Sequence, residues 1–187
     1  MGEIIIRDVR LDDAKDLCDI YAYYVQNTAI TFEYDIPSVS EFEDRIKKIT
    51  KKYPYFVAVD DGEIIGYSYA HEYYGRAAYD WCVEMTVYLK SGYMGRGIGS
   101  ILYNKMEDAL KKMNITNLYS CIATTDRESE FLTDASVGFH KAVGYTKIAD
   151  FKNCGYKFNE WFDMIWMEKI IGKHIKNQPA VIKYTSI

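Results

Sequence analysis

The sequence predicts a single α/β (α+β) domain in which a mixed, mostly antiparallel sheet carries helices on both faces. Three observations lead to this class. The chain has 187 residues, and 49% of them are hydrophobic, which is enough for one full core. Short segments rich in β-branched and aromatic residues alternate with segments whose apolar residues repeat at helical spacing. No repeat, low-complexity tract or linker-like stretch divides the chain.

The predicted elements follow one another in the order β-α-α-β-β-β-α-β-α-β-β, a pattern typical of a mixed sheet covered by helices. Strands are predicted over residues 4–9, 55–59, 64–69, 79–89, 118–123, 145–151 and 158–167. Helices are predicted over residues 12–26, 38–52, 98–113 and 135–142. We expect the domain to span residues 1–169. Residues 170–187 contain a proline and lack periodicity, so they are predicted to form a C-terminal tail.

Two local signals mark element boundaries. Ser38 and Glu41 have the spacing of a capping box, in which a serine hydroxyl accepts a free N–H group of the first helical turn. Asp61 and Gly62 lie between two apolar runs, and this dipeptide tolerates the positive φ angles of a tight β-turn. The sequence therefore predicts a helix that begins after Ser38 and a hairpin that turns at Asp61.

Charge and cysteine content exclude several classes of function. The formal net charge is −4, whereas nucleic-acid-binding and polybasic membrane-surface proteins are usually basic. Cys18, Cys82, Cys121 and Cys154 are far apart in sequence, so neither a metal site nor a disulfide framework is expected. No signal peptide or long apolar stretch is recognised. We therefore expect a cytoplasmic protein with no nucleic-acid partner and no membrane partner.

A glycine-dense loop over residues 91–99 follows a predicted strand and opens a long predicted helix. Glycines let the backbone approach a ligand closely, and a helix N-terminus adds free N–H donors, so the segment suits a phosphate or pyrophosphate. A Walker A loop is excluded because no lysine follows the glycines. A dinucleotide-binding loop would follow the first strand, whereas this one lies in the middle of the chain. The pyrophosphate of coenzyme A remains as the favoured ligand, with a simple structural turn as the alternative.

The segment from Gly95 to Gly99 resembles the acyl-CoA signature of the GNAT acetyltransferase superfamily, and the element order resembles the GNAT fold. Further segments are similar to the phosphinothricin and L-methionine sulfoximine N-acetyltransferases of that superfamily, over residues 31–33, 53–55, 77–88, 139–145 and 155–163. The resemblance covers residues 4–168. It implies acetyl-CoA as co-substrate and direct acetyl transfer to the amino group of a small amino-acid-like substrate. It also implies a homodimer, for which Tyr156 and Trp161 could supply the interface.

The resemblance implies a set of cofactor-binding residues in and around the glycine loop: Val87, Tyr88, Leu89, Met94, Gly95, Arg96, Gly97, Ile98, Gly99, Ser100, Thr133 and Ser136. Met94 departs from the family pattern, which has Gln or Arg at this position. Thr133 or Asp126 stands where the family often has an asparagine that contacts the cofactor. At Met94, backbone donation to the phosphates survives the change, but a side-chain contact to them is lost.

Three groups are predicted to carry the chemistry. Glu84 lies in an otherwise apolar strand, and the resemblance makes it the base that takes a proton from the substrate amine; a solvent-facing strand residue is the alternative. The resemblance implies that the N–H group of Leu89 polarises the thioester carbonyl. His140 matches the family position of the acid for the leaving thiolate, and a structural histidine is the alternative. Cys82 and Cys121 have no neighbouring histidine in sequence, which favours direct transfer over a covalent enzyme intermediate.

An amino-acid substrate with a polar or anionic head calls for a cation and aromatic walls. The predicted substrate-binding residues are Phe32, Glu33, Tyr73, Arg76, Tyr79, Met85, Thr86 and Lys157. Two other functions stay open: acetylation of another amine, such as an aminoglycoside, a polyamine or a protein N-terminus, and a non-catalytic acyl-CoA-binding module.

Overall fold

The computed structural model describes residues 3–185. The first two residues of the predicted domain and the last two of the predicted tail lie outside the described residues. Its strands are β1 (Ile5–Asp8), β2 (Tyr55–Asp60), β3 (Glu63–Glu72), β4 (Cys82–Leu89), β5 (Asn117–Thr124), β6 (Thr146–Lys157) and β7 (Glu160–Ile170). They form one sheet in the order β1-β2-β3-β4-β5-β7-β6, antiparallel except between β4 and β5. The predicted mixed, mostly antiparallel sheet is confirmed.

The helices are α1 (Ala14–Asn27), α2 (Val39–Thr50), α3 (Ile98–Lys112) and α4 (Ala135–Ala142), with 3-10 turns at Leu11–Asp13 and Ala77–Tyr79. Helix α2 begins where the capping box predicts, because the Ser38 hydroxyl accepts the Glu41 N–H at 3.2 Å. Within residues 3–185, none of the helices combines the length and apolar character that a lipid bilayer would require.

Helices cover both faces of the sheet, as predicted, because alternate residues of each strand point to opposite sides. One core cluster joins α3 to the sheet through residues such as Ile65, Leu102, Met106, Leu110 and Leu118. The other joins α1 and α2 to the opposite face through residues such as Leu17, Phe42, Tyr55, Val57 and Tyr67. The face under α1 and α2 is therefore unusually rich in tyrosine.

Several predicted boundaries differ from the structure. The strand predicted from Tyr79 begins at Cys82, because the Tyr79 N–H group donates to the Arg76 carbonyl at 2.9 Å and closes a 3-10 turn. The last two strands were predicted too short. Phe158 was predicted to start the final strand, but it adopts a φ of 52° in the turn between β6 and β7. Its ring stacks on Phe131 at 4.2 Å, so an apolar contact holds it in a turn.

The residues after β7 lie against the domain. Within this C-terminal segment, the Ile182 N–H donates to the Met113 carbonyl at 3.1 Å and the Tyr184 N–H to the Lys52 carbonyl at 3.0 Å. The Trp81 ring nitrogen also donates to the Pro179 carbonyl at 2.7 Å. Although the segment lacks helical and strand periodicity, its backbone is thus fastened to the ends of α2 and α3.

The two parallel strands separate in the middle of the sheet. Strand β5 pairs with β4 only from Cys82, opposite Asn117, to Glu84, opposite Tyr119. Beyond Glu84, β4 continues along β3 as far as Leu89, while β5 continues along β7. A split therefore opens between the carboxyl-terminal halves of β4 and β5, and it determines where the candidate site lies.

Candidate active site

A cavity of about 250 Å³ lies in the split between β4 and β5, and we call it the split cavity. Residues from the loop after α1, from both strands and from α3, α4 and β7 line it. It brings together eight of the predicted site residues: Phe32, Glu84, Met85, Thr86, Val87, Tyr88, Ser136 and His140. It also includes Tyr103 and Ser120, which the sequence did not single out.

Glu84 is the carboxylate of the split cavity, with a side chain that is 22% exposed. Burial raises its pKa above the usual value, and the charge of His71 partly opposes that shift. The His71 Nε2 atom lies 3.7 Å from a Glu84 carboxylate oxygen, since the two residues are partners across β3 and β4. A carboxylate in this environment binds a proton more tightly than one in water, which suits a general base.

Backbone N–H groups of β4 point into the split. The Lys90 N–H donates across to the Ile65 carbonyl at 2.8 Å, so the alternation of an antiparallel pair turns the Val87 and Leu89 N–H groups to the other side. The predicted donor, Leu89, is already engaged: its N–H donates to the Tyr24 hydroxyl at 3.3 Å. The same hydroxyl donates to the Leu89 carbonyl at 2.6 Å. Val87 therefore joins Leu89 as a candidate for the carbonyl-polarising donor.

The glycine loop runs from the end of β4 to the start of α3, at the mouth of the split. Gly92, Gly95 and Gly97 have φ angles of 85°, 74° and 80°, which only glycine adopts freely, and open space surrounds each α-carbon. The first hydrogen bond within α3 runs from the Ile101 N–H to the Gly97 carbonyl at 3.1 Å. The N–H groups of residues 98–100 therefore lack acceptors within the helix and are available to an anion.

The other residues of the loop have distinct surroundings. Met94 is 51% exposed, and the exposed Arg96 guanidinium lies 4.8 Å from the centre of the Tyr93 ring. Gly99 is buried, and a Cβ atom there would lie 3.0 Å from the Phe139 ring. Gly99 is thus needed where α3 and α4 approach each other, in addition to its N–H group at the helix start.

His140 is buried in the wall of the split cavity. Its Nδ1–H donates to the Ser136 carbonyl at 2.7 Å, and burial lowers its pKa to about 4. The ring is therefore neutral at pH 7, and its Nε2 atom accepts the Tyr103 hydroxyl at 3.0 Å. The one N–H of the neutral ring is engaged by the Ser136 carbonyl, so the structure couples the predicted acid to Tyr103.

Two further hydroxyls lie beside this pair. Ser120 Oγ and the Tyr145 hydroxyl are buried, and neither has a hydrogen-bond partner among the residues that the structure describes. Tyr145 lies against His140, with ring centres 5.2 Å apart, and Ser120 lines the split cavity. In sequence, Tyr103 is one aromatic residue on the apolar face of a helix, so no local signal separates it from a core residue.

Lys157 does not line the split cavity. It is 2% exposed, and its ammonium donates to the Thr28 carbonyl at 2.9 Å and to the Thr31 carbonyl at 2.8 Å. Burial lowers its pKa. The expectation of a substrate-binding cation is therefore corrected, since both hydrogen bonds hold the loop after α1 against the end of β6.

Phe32 and Glu33 follow Thr31 in that loop, and their side chains point to different parts of the molecule. The Phe32 ring covers Gly155, where a Cβ atom would lie 2.3 Å from it, and Phe32 lines the split cavity. Glu33 instead pairs with Arg45 of α2 at 3.0 Å, outside the cavity lining. Only the first of these two predicted substrate contacts faces the split.

The remaining predicted residues lie elsewhere on the surface. Tyr73, Arg76 and Tyr79 belong to the connection between β3 and β4 and do not line the split cavity. Tyr73 stacks on Tyr119 with ring centres 4.4 Å apart. Thr133 is exposed just before α4, outside the cavity lining. None of these four residues lines the split cavity.

The arrangement suits a transfer reaction between two ligands that approach the split from different sides. The free N–H groups at the start of α3 can bind the phosphates of a donor, while Glu84 can take a proton from an acceptor. Because β4 and β5 are not paired beyond Glu84, the reacting groups can meet inside the sheet. Such an opening is suited to group transfer between two ligands.

Comparison with known proteins identifies the group. The family model described as "Acetyltransferase (GNAT) domain" matches residues 6–166 of this chain. A phosphinothricin N-acetyltransferase of Streptomyces viridochromogenes is 32% identical over 159 residues, which are 85% of this chain and 83% of that protein. The chain therefore belongs to the GNAT family of N-acetyltransferases, and the predicted resemblance is confirmed.

Two further relatives narrow the comparison. The crystal structure of a phosphinothricin acetyltransferase from Sinorhizobium meliloti, in complex with AcCoA, superimposes with a TM-score of 0.82 at 30% identity. It covers 90% of this chain and 89% of its own. An L-methionine sulfoximine/L-methionine sulfone acetyltransferase of Pseudomonas aeruginosa is 26% identical and covers 87% of this chain and 92% of its own. GNAT acetyltransferases use acetyl-CoA as acetyl donor.

Proposed function

We propose that this chain transfers an acetyl group from acetyl-CoA to the amino group of a small amino acid of the phosphinothricin or methionine sulfoximine type. The observation that carries the proposal is the half-buried carboxylate of Glu84 in the split, next to the open glycine loop. Relatives named for these two substrates, at 32% and 26% identity, support the substrate class.

The glycine loop fits the cofactor. Its α-carbons at Gly95 and Gly97 face open space, and the free N–H groups at the start of α3 suit a pyrophosphate. Arg96 adds a positive charge next to the loop. When bound, acetyl-CoA supplies the thioester whose acetyl group is transferred to the amine.

Glu84 acts as the base in this proposal. A substrate amine is mostly protonated at pH 7, so it must lose a proton before it attacks. The raised pKa of the Glu84 carboxyl group, caused mainly by burial, lets it hold that proton. His71 lies 3.7 Å away, and its charge partly opposes the rise in the pKa of Glu84.

Backbone and aromatic groups complete the chemistry. The N–H groups of Val87 and Leu89 face the split and polarise the carbonyl that is attacked; Leu89 needs the Tyr24 hydroxyl to give way first. The predicted acid role of His140 depends on Tyr103, because the two side chains share one hydrogen bond. We infer that the Tyr103 hydroxyl turns from His140 Nε2 and gives its proton to the leaving thiolate, and that the resulting phenolate then regains a proton from water.

The edge of the sheet supports the predicted homodimer. Strand β6 is an edge strand, and the aromatic residues Phe151, Tyr156 and Trp161 next to that edge are 46%, 44% and 52% exposed. Pairing of two such edges would cover them. We propose that this edge forms the dimer interface and that the enzyme acts in the cytoplasm, and sedimentation velocity of the purified chain tests the first part.

A thiol-release assay tests the function. Acetyl-CoA and the full chain are incubated with phosphinothricin, methionine sulfoximine, methionine sulfone, spermidine, an aminoglycoside and a peptide with a free N-terminus. We expect release with the first three amines and background rates with the others. Preferred release with spermidine, the aminoglycoside or the peptide would contradict the substrate class. Background rates with every amine, together with tight acetyl-CoA binding, would support the non-catalytic module.

A further inference from the structure

A second cavity, of about 400 Å³, lies between α2 and the sheet, on the face that carries α1. We call it the tyrosine chamber. Its walls are aromatic and are formed largely by Tyr21, Phe42, Tyr53, Tyr55, Tyr67 and Tyr69. It shares no lining residue with the split cavity, so it is a separate compartment.

Two hydroxyls of the chamber are free to bind a ligand. Tyr55 and Tyr67 are 2% and 1% exposed, and within residues 3–185 neither hydroxyl has a protein hydrogen-bond partner. Burial raises the pKa of both well above the usual value, so each remains a neutral O–H donor. Neither hydroxyl is among the buried polar atoms that lack a partner, so both reach the space of the chamber, where a ligand oxygen can accept their hydrogen bonds.

Three cationic side chains line the chamber. Arg45, Lys48 and Lys52 line it against a single carboxylate, that of Glu72, and beside His71. Arg45 is paired with Glu33 and Glu41, at 3.0 and 2.8 Å, and Lys52 is paired with Asp80 at 2.9 Å. Among the described residues, Lys48 has no carboxylate within salt-bridge distance. It is therefore the cation available to an incoming anion.

The chamber adjoins the candidate catalytic carboxylate. His71 lines the chamber, and its Nε2 atom is 3.7 Å from the Glu84 carboxylate in the split cavity. At a second point, the Tyr21 hydroxyl of the chamber is 2.6 Å from the Thr31 hydroxyl of the split cavity. One layer of side chains thus separates the two compartments. A substrate that reaches over this layer can have its amine at Glu84 and its side chain in the chamber.

We propose that the tyrosine chamber selects α-amino acids with long side chains that end in an oxyanion such as a carboxylate. The aromatic walls surround the methylene groups, Tyr55 and Tyr67 donate hydrogen bonds, and Lys48 attracts the terminal charge. At roughly 30 Å³ for each water-sized group, the chamber holds about a dozen groups, more than a phosphinothricin side chain needs. The proposal rests on the proposed function in one respect: it assigns the amine to Glu84.

A pair of amino acids of equal length tests the chamber. L-2-Aminosuberate and L-2-aminooctanoate share an eight-carbon chain and differ only in the terminal group, which is a carboxylate in the first and a methyl in the second. Calorimetric titration of the full chain measures both Kd values without acetyl-CoA. We expect aminosuberate to bind about fivefold more tightly, as one partly screened charge pair predicts.

Neighbouring lysines of α2 provide the matched variants. Lys48→Ala should remove the preference for aminosuberate. Lys47→Ala should keep it, because Lys47 is paired with Glu43 and Asp44 at 3.5 and 3.2 Å and does not line the chamber. Equal binding of the two amino acids to the unaltered chain, or a preference that survives Lys48→Ala, would overturn the proposal.

A second variant removes a hydroxyl and keeps the ring. Tyr67→Phe should weaken aminosuberate binding about threefold or more, the effect of one lost hydrogen bond, and circular dichroism checks that the variant folds. Because these titrations contain no acetyl donor, their outcome is independent of turnover. Release of thiol with phosphinothricin, combined with no preference for aminosuberate, would overturn the chamber proposal and leave the proposed function intact.

Discussion

The split cavity and the tyrosine chamber lie on either side of Glu84, yet different parts of the chain build them. The split cavity depends on backbone: two strands that separate and a loop that needs positive φ angles. The tyrosine chamber depends on side chains from α1, α2, β2 and β3. Side-chain substitutions can therefore reshape the chamber while the donor side keeps its geometry. Under the proposed roles of the two cavities, this difference separates the choice of acceptor from the chemistry of transfer.

The largest expected effect comes from Glu84→Gln, at the boundary between the two compartments. Turnover should fall about 10²- to 10⁴-fold, because the amine loses its base. Acetyl-CoA binding should stay within about twofold, since glutamine keeps the shape of the side chain. Thiol-release kinetics and calorimetry measure the two quantities. The exposed Glu128→Gln serves as the control, and unchanged turnover in Glu84→Gln would remove the assignment of the base.

Gly97→Asp should abolish the binding of acetyl-CoA and leave the binding of an amino acid in the tyrosine chamber intact. The new side chain adds backbone strain and a negative charge beside the proposed pyrophosphate site, so we expect the Kd for acetyl-CoA to rise more than about 100-fold. Aminosuberate binding should persist. Gly62→Asp is the matched control, because φ is 80° at Gly97 and 82° at Gly62, which lies in the β2–β3 hairpin. If Gly62→Asp impaired acetyl-CoA binding equally, the effect would be strain alone.

The pH dependence of kcat/KM tests the coupling between Glu84 and His71, which lie where the two cavities adjoin. Its acid limb is the low-pH range in which kcat/KM rises with pH. In the proposed mechanism the base is ionised Glu84, so the rate should rise with pH as that group loses its proton. Burial raises the pKa of Glu84, and the limb should therefore lie above the range of an ordinary carboxylate. His71→Gln removes the opposing charge and should move the limb to still higher pH. A limb that stays in place, or moves to lower pH, would contradict the coupling; His174→Gln is the control.

The smallest expected effect is the change in stability with pH that His140, in the wall of the split cavity, causes. The pKa of His140 is lowered from 6.5 to about 4, so folding favours the neutral ring. Its contribution to stability is complete above pH 6.5 and is lost progressively as pH falls toward 4, by up to about 3 kcal/mol. We expect Tm to decline over this interval and His140→Gln to flatten that part of the decline. Identical slopes in both proteins would show that other groups govern it.

The features that could be predicted from the sequence are those that local residue identity determines. The Asp61-Gly62 hairpin and the helix start at Ser38 follow from the conformations that these residues favour. The glycine loop was recognisable for the same reason, since its positive φ angles and its position before a helix are properties of a short segment. Glu84 was recognisable because a carboxylate is conspicuous in an apolar strand.

The missed features depend on contacts between distant segments. Lys157 meets Thr31 across 126 residues, and nothing near Lys157 in sequence indicates that its ammonium is buried. Tyr103 and His140 are 37 residues apart, and each is consistent with an ordinary core residue. The tyrosine chamber combines four elements, so its tyrosines were indistinguishable from sheet packing. The periodicity of a strand predicts which of its faces is buried, but it does not predict whether a cavity remains above that face.

The anchoring of Lys157 has a consequence for how this enzyme and its relatives can diverge. Its two hydrogen bonds, together with the Phe32 ring on Gly155, join the loop after α1 to the β6–β7 hairpin. We therefore expect the sequences of these two segments to change together. A chimera that receives this loop from a relative would need the donor's hairpin as well. Substitutions in the tyrosine chamber are free of that constraint, so new acceptors can arise there one residue at a time.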